Sequence, residues 1–411
     1  MHSARDSKQR SWPLTSGRGR AGLRGGESLS CEVLEPRWLL SGISPLDTTP
    51  EYDTDQALVS SAIADDPIVY PYVVTSMHSE EATPLAGSGS PGGFSPAQIR
   101  HAYGFDQIFF EGGTIVGDGA GQTIAIVNAY HTANAWADLQ SFDAYFGLPD
   151  PPSFVQVGQT GGATPTGEDS GWALETALDV QWIHALAPAA NIVLVEANSA
   201  LFSDLMIAVD HARSRPNVSI VSMSFGTEGE FSGETGYDFH FTTPASHTGV
   251  TFFAAAGNSG GPGGYPAYSP NVVAVGGTSL SLDGFNNIAS ESAWGSSGGG
   301  ISQYEAQPSW QNGVVTQTAT QRAMPDVAFD ANPSTGVPVW DTYNNDDLTP
   351  WTKVGGTSFA TPAWGALVAI ANQGRSLAGQ PVFDTSTLMN ALYTMPQGNF
   401  NDITSGSSGG S

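Results

Sequence analysis

Cysteine is almost missing from this sequence. Cys31 stands alone among 411 residues, which excludes an internal disulfide and any metal site built from several thiolates. Basic residues are scarce as well: 13 Lys and Arg oppose 39 Asp and Glu, a formal charge of -26. Seven of the 13 crowd into the first 40 positions, so six Lys and Arg face 35 acidic residues from residue 41 onward. A surface this acidic repels phosphate backbones and anionic bilayers, so nucleic acid and membrane surfaces are not the expected partners. It suits acidic surroundings, where protonation relieves self-repulsion, and it serves plain solubility equally well. No run of 18 apolar residues occurs, so no membrane span is expected.

Glycine (50) and proline (27), by contrast, are plentiful beside 40% hydrophobic residues. This is the composition of a soluble globular chain with many tight turns. Residues 1–42 are basic and Ser/Gly/Arg-rich, and are expected to stay disordered. Their end, SCEVLEPRWLLSG (30–42), resembles the export-type segment of many bacterial proteins, which makes a secreted protein the expectation. Residues 43–94 carry scattered acidic residues, finish in PLAGSGSPGGFS, and read as a linker.

From about Ser95 the pattern alternates. Apolar runs bounded by turn residues, TIAIVNA (123–129), NIVLVEA (191–197), VSIVSMSF (218–225), VTFFAAA (250–256) and NVVAVGG (271–277), read as buried parallel strands. Helical stretches fall between them at 133–146, 171–187, 199–214 and 235–248. The order predicts an α/β domain of three layers around a mainly parallel sheet, spanning 95–411. Residues 281–350, rich in Gly, Asn, Asp and Pro, are expected as long surface loops.

Three segments carry chemistry. In GTSFATP (356–362) Ser358 sits where a loop meets a helix, whose free N–H groups and dipole could hold an oxyanion; Pro362 is expected in the first turn. Ser358 could equally be a plain N-cap. In FFAAAGNSGG (252–261) Asn258 follows a buried strand and could donate to an oxyanion, or simply suit a turn. In GWALETALDVQW, Glu175 and Asp179 are four residues apart on one helical face, among Ala173, Leu174, Ala177 and Leu178. Like charges at that spacing cost helix stability, whereas a carboxyl pair can supply a base and a group that orients it.

GTSFATP, AAAGNSG and SMSFG (222–226) together resemble the serine, oxyanion and substrate-binding segments of subtilisin-like peptidases. The resemblance breaks at the base. The first strand carries Asn128 and Ala129 where an Asp would open the motif, none of the eight histidines is followed by Gly-Thr, and His184 reads as a helix residue. With the carboxyl pair followed by ALAPAANIVLVEA, and with AYGFDQI, YPAYSPNVVAVGGTSL, GGGISQYEAQPSWQ and MPDVAFDANPSTGVPVW, residues 95–404 resemble the sedolisins, the serine-carboxyl peptidases.

That resemblance implies a serine endopeptidase of subtilisin-like fold acting on proteins or peptides, expected as a monomer. Ser358 would be the nucleophile, Glu175 the acid and base, Asp179 its positioning partner, and Ser224, Phe225 and Gly226 the substrate-binding strand. Three departures stand out. Asn258 replaces the usual Asp and would donate at any pH. The 94 residues before the domain are short for a folded propeptide. The calcium site of the family begins with an Asp-Ile pair, matched by Asp402 and Ile403, but the chain stops at Ser411, which reads as a truncated site. An aminopeptidase, or an inactive binding module on the same fold, are the alternatives. Ser279, Glu168, Asp169, the Asp346–Asp347 pair and Asn217 read as structural.

Overall fold

The computed structural model describes residues 66–75, 88–346 and 348–408. The segment 1–42 with Cys31, and Asp347, lie outside the described residues. The centre is an eight-stranded sheet. Its order runs Ile288–Ala293, Val273–Leu282, Thr251–Ala255, Val218–Met223, Thr123–Ala129, Asn191–Ala197, Phe154–Gly158, with Val327–Asp330 pairing alongside Val273–Leu282. Every pairing is parallel except that of the edge strand Ile288–Ala293. Thr123–Ala129 is buried from end to end because both faces are covered. Ile124 and Ile126 join one apolar cluster, while Ala125, Val127 and Ala129 join the other. This alternation is the strand period at work, and it makes the three layers.

On one face lie the helices Ser170–Leu186 and Thr357–Leu377, called below the carboxyl helix and the serine helix. The carboxyl helix is buried from Trp172 to Leu186, so it is apolar nearly all round rather than amphipathic. Asp169 is its N-cap, accepting from the N–H groups of Gly171 and Trp172 at 2.9 and 3.0 Å. On the other face lies Phe202–Ser214.

Three expectations are corrected. Residues 281–350 are not loops throughout: between the loops they form the strands Ile288–Ala293, Gly300–Ala306, Gln321–Met324, Val327–Asp330 and Val337–Trp340. Short strands with mixed burial lack the apolar runs that mark central ones. The stretch expected as a helix over 235–248 is a 3-10 helix, Glu234–Phe241, that ends before Pro244. Pro362 is the sixth residue of the serine helix, beyond its first turn.

Within the span read as a linker, residues 66–75 also pair with the body. Val69–Pro71 runs antiparallel to Phe225–Thr227, and Val74–Thr75 antiparallel to the end of Trp351–Gly355. IVYPYVV (68–74) is apolar enough to stay on the body, and Val69 is almost fully buried there.

Candidate active site

The parallel strands deliver polar residues to one edge. Asn128 lies near the carboxyl end of Thr123–Ala129, Ser224 just beyond Val218–Met223, and Asn258 just beyond Thr251–Ala255. These three strands are neighbours, so their loops share one crevice, where α/β sheets collect their sites. The carboxyl helix and the serine helix complete it from one face.

Ser358 is the second residue of the serine helix, after Gly356 and Thr357. Its Oγ donates to Glu175 Oε2 at 2.8 Å. Two residues 183 positions apart, read from the sequence as nucleophile and base, are thus brought into contact. Asp179, one turn along the carboxyl helix, accepts from Ser224 Oγ at 2.6 Å and from Asn128 Nδ2 at 3.1 Å. Ser358, Glu175, Asp179 and Ser224 have no exposed surface. Burial raises the Glu175 carboxyl well above its usual range, and the charge of Asp179 raises it further. Burial also raises Asp179, with the hydrogen bonds from Ser224 and Asn128 opposing. Among the described residues neither carboxyl has a cationic partner, so the pair resists carrying two charges and a proton stays available within it.

Pro362 has a part in this arrangement. It has no N–H to donate to the carbonyl four residues back, which is that of Ser358. The freed carbonyl accepts from Ser224 Oγ at 3.3 Å. Ser224, expected only as substrate-binding, therefore ties the start of the strand Phe225–Thr227 to the serine helix and to Asp179.

Asn258 is held in one orientation. Its Oδ1 accepts from the Thr357 N–H at 2.9 Å and from Thr357 Oγ1 at 3.0 Å, which leaves Nδ2 to face the cleft as a donor. There Nδ2 donates to the Tyr72 carbonyl. Gly356, with φ of 104°, and Gly257, with φ of 106°, let the backbone turn tightly around this point.

A profile of the Subtilase family matches residues 161–399, more than half of the sequence. The chain belongs to the subtilase family. Its relatives place it with the sedolisins: it is 32% identical over 349 residues to kumamolisin of Bacillus sp. (strain MN-32), covering 78% of this chain and 58% of that protein. With sedolisin of Pseudomonas sp. (strain 101) it shares 29% over 326 residues, covering 71% and 53%. The chain spans somewhat over half the length of these curated relatives. A solved structure of Pseudomonas sedolisin, described as a serine-carboxyl proteinase, superposes with a TM-score of 0.63 at 25% identity, covering 80% of this chain and 90% of that one. The sedolisin fold, with its largely parallel three-layer core, is the fold found here.

The remaining sequence candidates fall as follows. Phe225 and Gly226 lie in the cleft strand, paired with Pro71 and Tyr70. His184 is buried in the carboxyl helix, with Nε2 2.6 Å from the Pro149 carbonyl oxygen and away from Ser358. Ser279 accepts from Asn332 Nδ2, and Asp346 caps Leu348 and Thr349. Asp402 is exposed and Ile403 half-buried. Together they offer a carboxylate and a carbonyl, short of the six to eight oxygens calcium takes. Among the described residues no group of three His, Cys, Asp or Glu could hold a metal ion. No described helix is long and apolar enough to cross a membrane.

Sequence reasoning noted Asn128 only as a residue out of place, and its bonds to Asp179 and to Thr176 Oγ1 give it a role. The signal was there: an amide inside an otherwise apolar strand needs a partner.

Proposed function

We propose that this chain is a serine-type endopeptidase that cleaves proteins or peptides through an acyl-enzyme. The observation that carries the reading is the hydrogen bond from Ser358 Oγ to Glu175 Oε2, 2.8 Å, at the start of a helix. Ser358 attacks the peptide carbonyl while Glu175 takes its proton, and Glu175 then gives that proton to the leaving amine. The Asn258 amide, with a backbone N–H beside Ser358, stabilises the oxyanion. Water hydrolyses the acyl-enzyme with Glu175 again as base. Asp179 acts by holding Glu175 in place and setting its proton affinity.

An endopeptidase is favoured over an aminopeptidase because polypeptide can pair on both sides of Ser358, with Phe225–Thr227 before it and with Val354 and Gly355 after it. Secretion as a monomer and binding of calcium, with Asp402 and Ile403 as two of its ligands, belong to the same proposal. Casein hydrolysis from pH 3 to 8 by the wild type and by Ser358→Ala tests the reading. Activity in the wild type with a loss of about 10⁶-fold in the variant is expected. Equal activity in both, or none in a folded wild type with calcium present, would favour an inactive binding module.

A further inference from the structure

Four acidic side chains gather beside the strand Phe225–Thr227, apart from Ser358 and its base. Glu230 lies in the loop after that strand, Glu234 and Asp238 on the 3-10 helix Glu234–Phe241, and Glu305 on the strand Gly300–Ala306. Glu234 has no exposed surface and Glu305 is 2% exposed. Glu234 Oε2 accepts from the Phe231 N–H at 2.8 Å, while its Oε1 is buried without a donor. Glu305 Oε1 is buried without a donor as well. Each of these two side chains lies within hydrogen-bonding reach of another carboxyl, Glu230 for Glu234 and Asp238 for Glu305. Two carboxylates offer each other only acceptors, so a proton between the oxygens is what turns each contact into a bond. A protonated carboxyl donating to a carboxylate makes a short, charge-assisted bond.

The protons belong on Glu234 and Glu305, because their partners are already acceptors. Glu230 accepts from Ser302 Oγ and, at 2.9 Å, from the Gln303 N–H. Asp238 accepts from the Tyr265 hydroxyl at 2.9 Å and from Ser269 Oγ at 2.6 Å. The cations nearby are committed elsewhere. Arg322, on the strand Gln321–Met324, binds Asp326, and His240 and Arg213 meet Asp210. Tyr268 faces Glu230 and Glu234 as a neutral phenol, with burial holding its hydroxyl above the usual range.

Both pairs connect to the end of the strand Phe225–Thr227. The Thr227 N–H donates to the Tyr265 carbonyl at 3.0 Å, and Thr227 Oγ1 accepts from the Tyr265 N–H at 3.0 Å. The Tyr265 hydroxyl then reaches Asp238. Thr227 Oγ1 also donates to the Gly229 carbonyl at 2.6 Å, next to Glu230. The connecting stretch TEGEFSGE (227–234) has one large apolar side chain, Phe231, so it has little hydrophobic burial to hold it.

Resting on the peptidase reading above, we propose that the two carboxyl pairs form a proton-set clasp on the substrate-binding wall. With one proton in each pair, they fasten residues 227–241 to the strand Gly300–Ala306 and keep Phe225–Thr227 in place to pair with substrate. When alkali removes both protons, like charges face each other in buried sites and the wall is released. Burial raises Glu305 to about 8 and Glu234 to about 9, and the charges of Asp238 and Glu230 add to it. Both folded values lie above the unfolded ones, so the clasp is complete in acid and is lost as pH rises through about 8 to 9.

The test is hydrogen exchange on the full chain from pH 5 to 9.5, read as protection factors, with KM on casein beside it. Expected is a fall of about tenfold in protection over residues 228–241 between pH 7 and 9.5, with a similar rise in KM. Glu234→Gln combined with Glu305→Gln keeps a donor in both pairs at every pH, so protection and KM should stay level. Should the double variant not fold, each single Gln variant is expected to remove part of the fall. Wild-type protection that stays level to pH 9.5, or a fall that the Gln variants share, would overturn the clasp whatever the activity. A fall in protection with KM unchanged would overturn its link to substrate binding. A folded chain that shows the fall yet cuts no casein at any pH would overturn the peptidase reading and leave the clasp standing.

Discussion

Asp326 and Glu175 lie in similar depth but in opposite company. Asp326 meets Arg322 through two bonds, 2.7 and 2.5 Å, and also accepts from the Ala274 N–H and the Tyr393 hydroxyl. Arg322 is one of the few basic residues in the acidic part of the chain, and it is spent inside, with no exposed surface. Among the described residues Glu175 meets neutral donors, such as the Ser358 hydroxyl and the Val73 N–H, and a second carboxyl one turn away. A fixed cation commits a carboxylate to its charge and makes it structural. Hydroxyls and amides leave the proton mobile, which is what acid–base chemistry needs. In a chain this poor in cations, withholding one from Glu175 is the distinguishing feature of the site.

Breaking each half of this comparison should give opposite outcomes. Glu175→Gln should lower kcat by about 10³-fold or more, with the melting temperature unchanged or raised, measured on casein and by calorimetry. A small loss of activity would mean that another group takes the Ser358 proton. Asp326→Asn leaves Arg322 buried without its counter-charge, and should cost about 3–5 kcal/mol of stability in denaturant unfolding. Activity per folded molecule should stay near the wild type.

Asn258→Asp sharpens the contrast by adding a carboxyl without a cation at the oxyanion. An ionised Asp cannot donate, so activity at neutral pH should fall by about 10²-fold and recover as acid protonates it. A pH–rate profile that does not move would sink the role given to Asn258. The smallest effect concerns Glu234, a buried carboxyl outside the site. Burial first, and then the charge of Glu230, raise it to about 9. Because the folded value is above the unfolded one, its stabilisation is present below about pH 4.5 and is lost as pH rises through about 9. Glu234→Gln should therefore raise the melting temperature at pH 8 but not at pH 4, and equal shifts at both would contradict the assignment.

Much of this was readable from residues. The central strands could be placed because apolar runs such as TIAIVNA need two covered faces, and Ser358, Glu175, Asp179 and Asn258 could be chosen because the segments that carry them together resemble those of the serine-carboxyl peptidases. What was not readable depends on chain pairing over long distances. Val73 meets Glu175 across 102 positions and Asn258 meets Tyr72 across 186. No local pattern fixes such contacts, and the Gly/Ser/Pro-rich stretch after residue 84 disguised the apolar strands before it. The edge strands in 281–350 were missed for a related reason: a strand with one wet face and glycines at its ends reads locally as a loop.

Residues 66–75, paired along the cleft, also set terms for anything that comes from outside. A segment joined covalently to the site competes at an effective concentration on the order of millimolar. A free peptide of equal intrinsic affinity would half-occupy the cleft only near that concentration. Weak inhibitors would therefore go undetected while residues 68–75 hold the cleft.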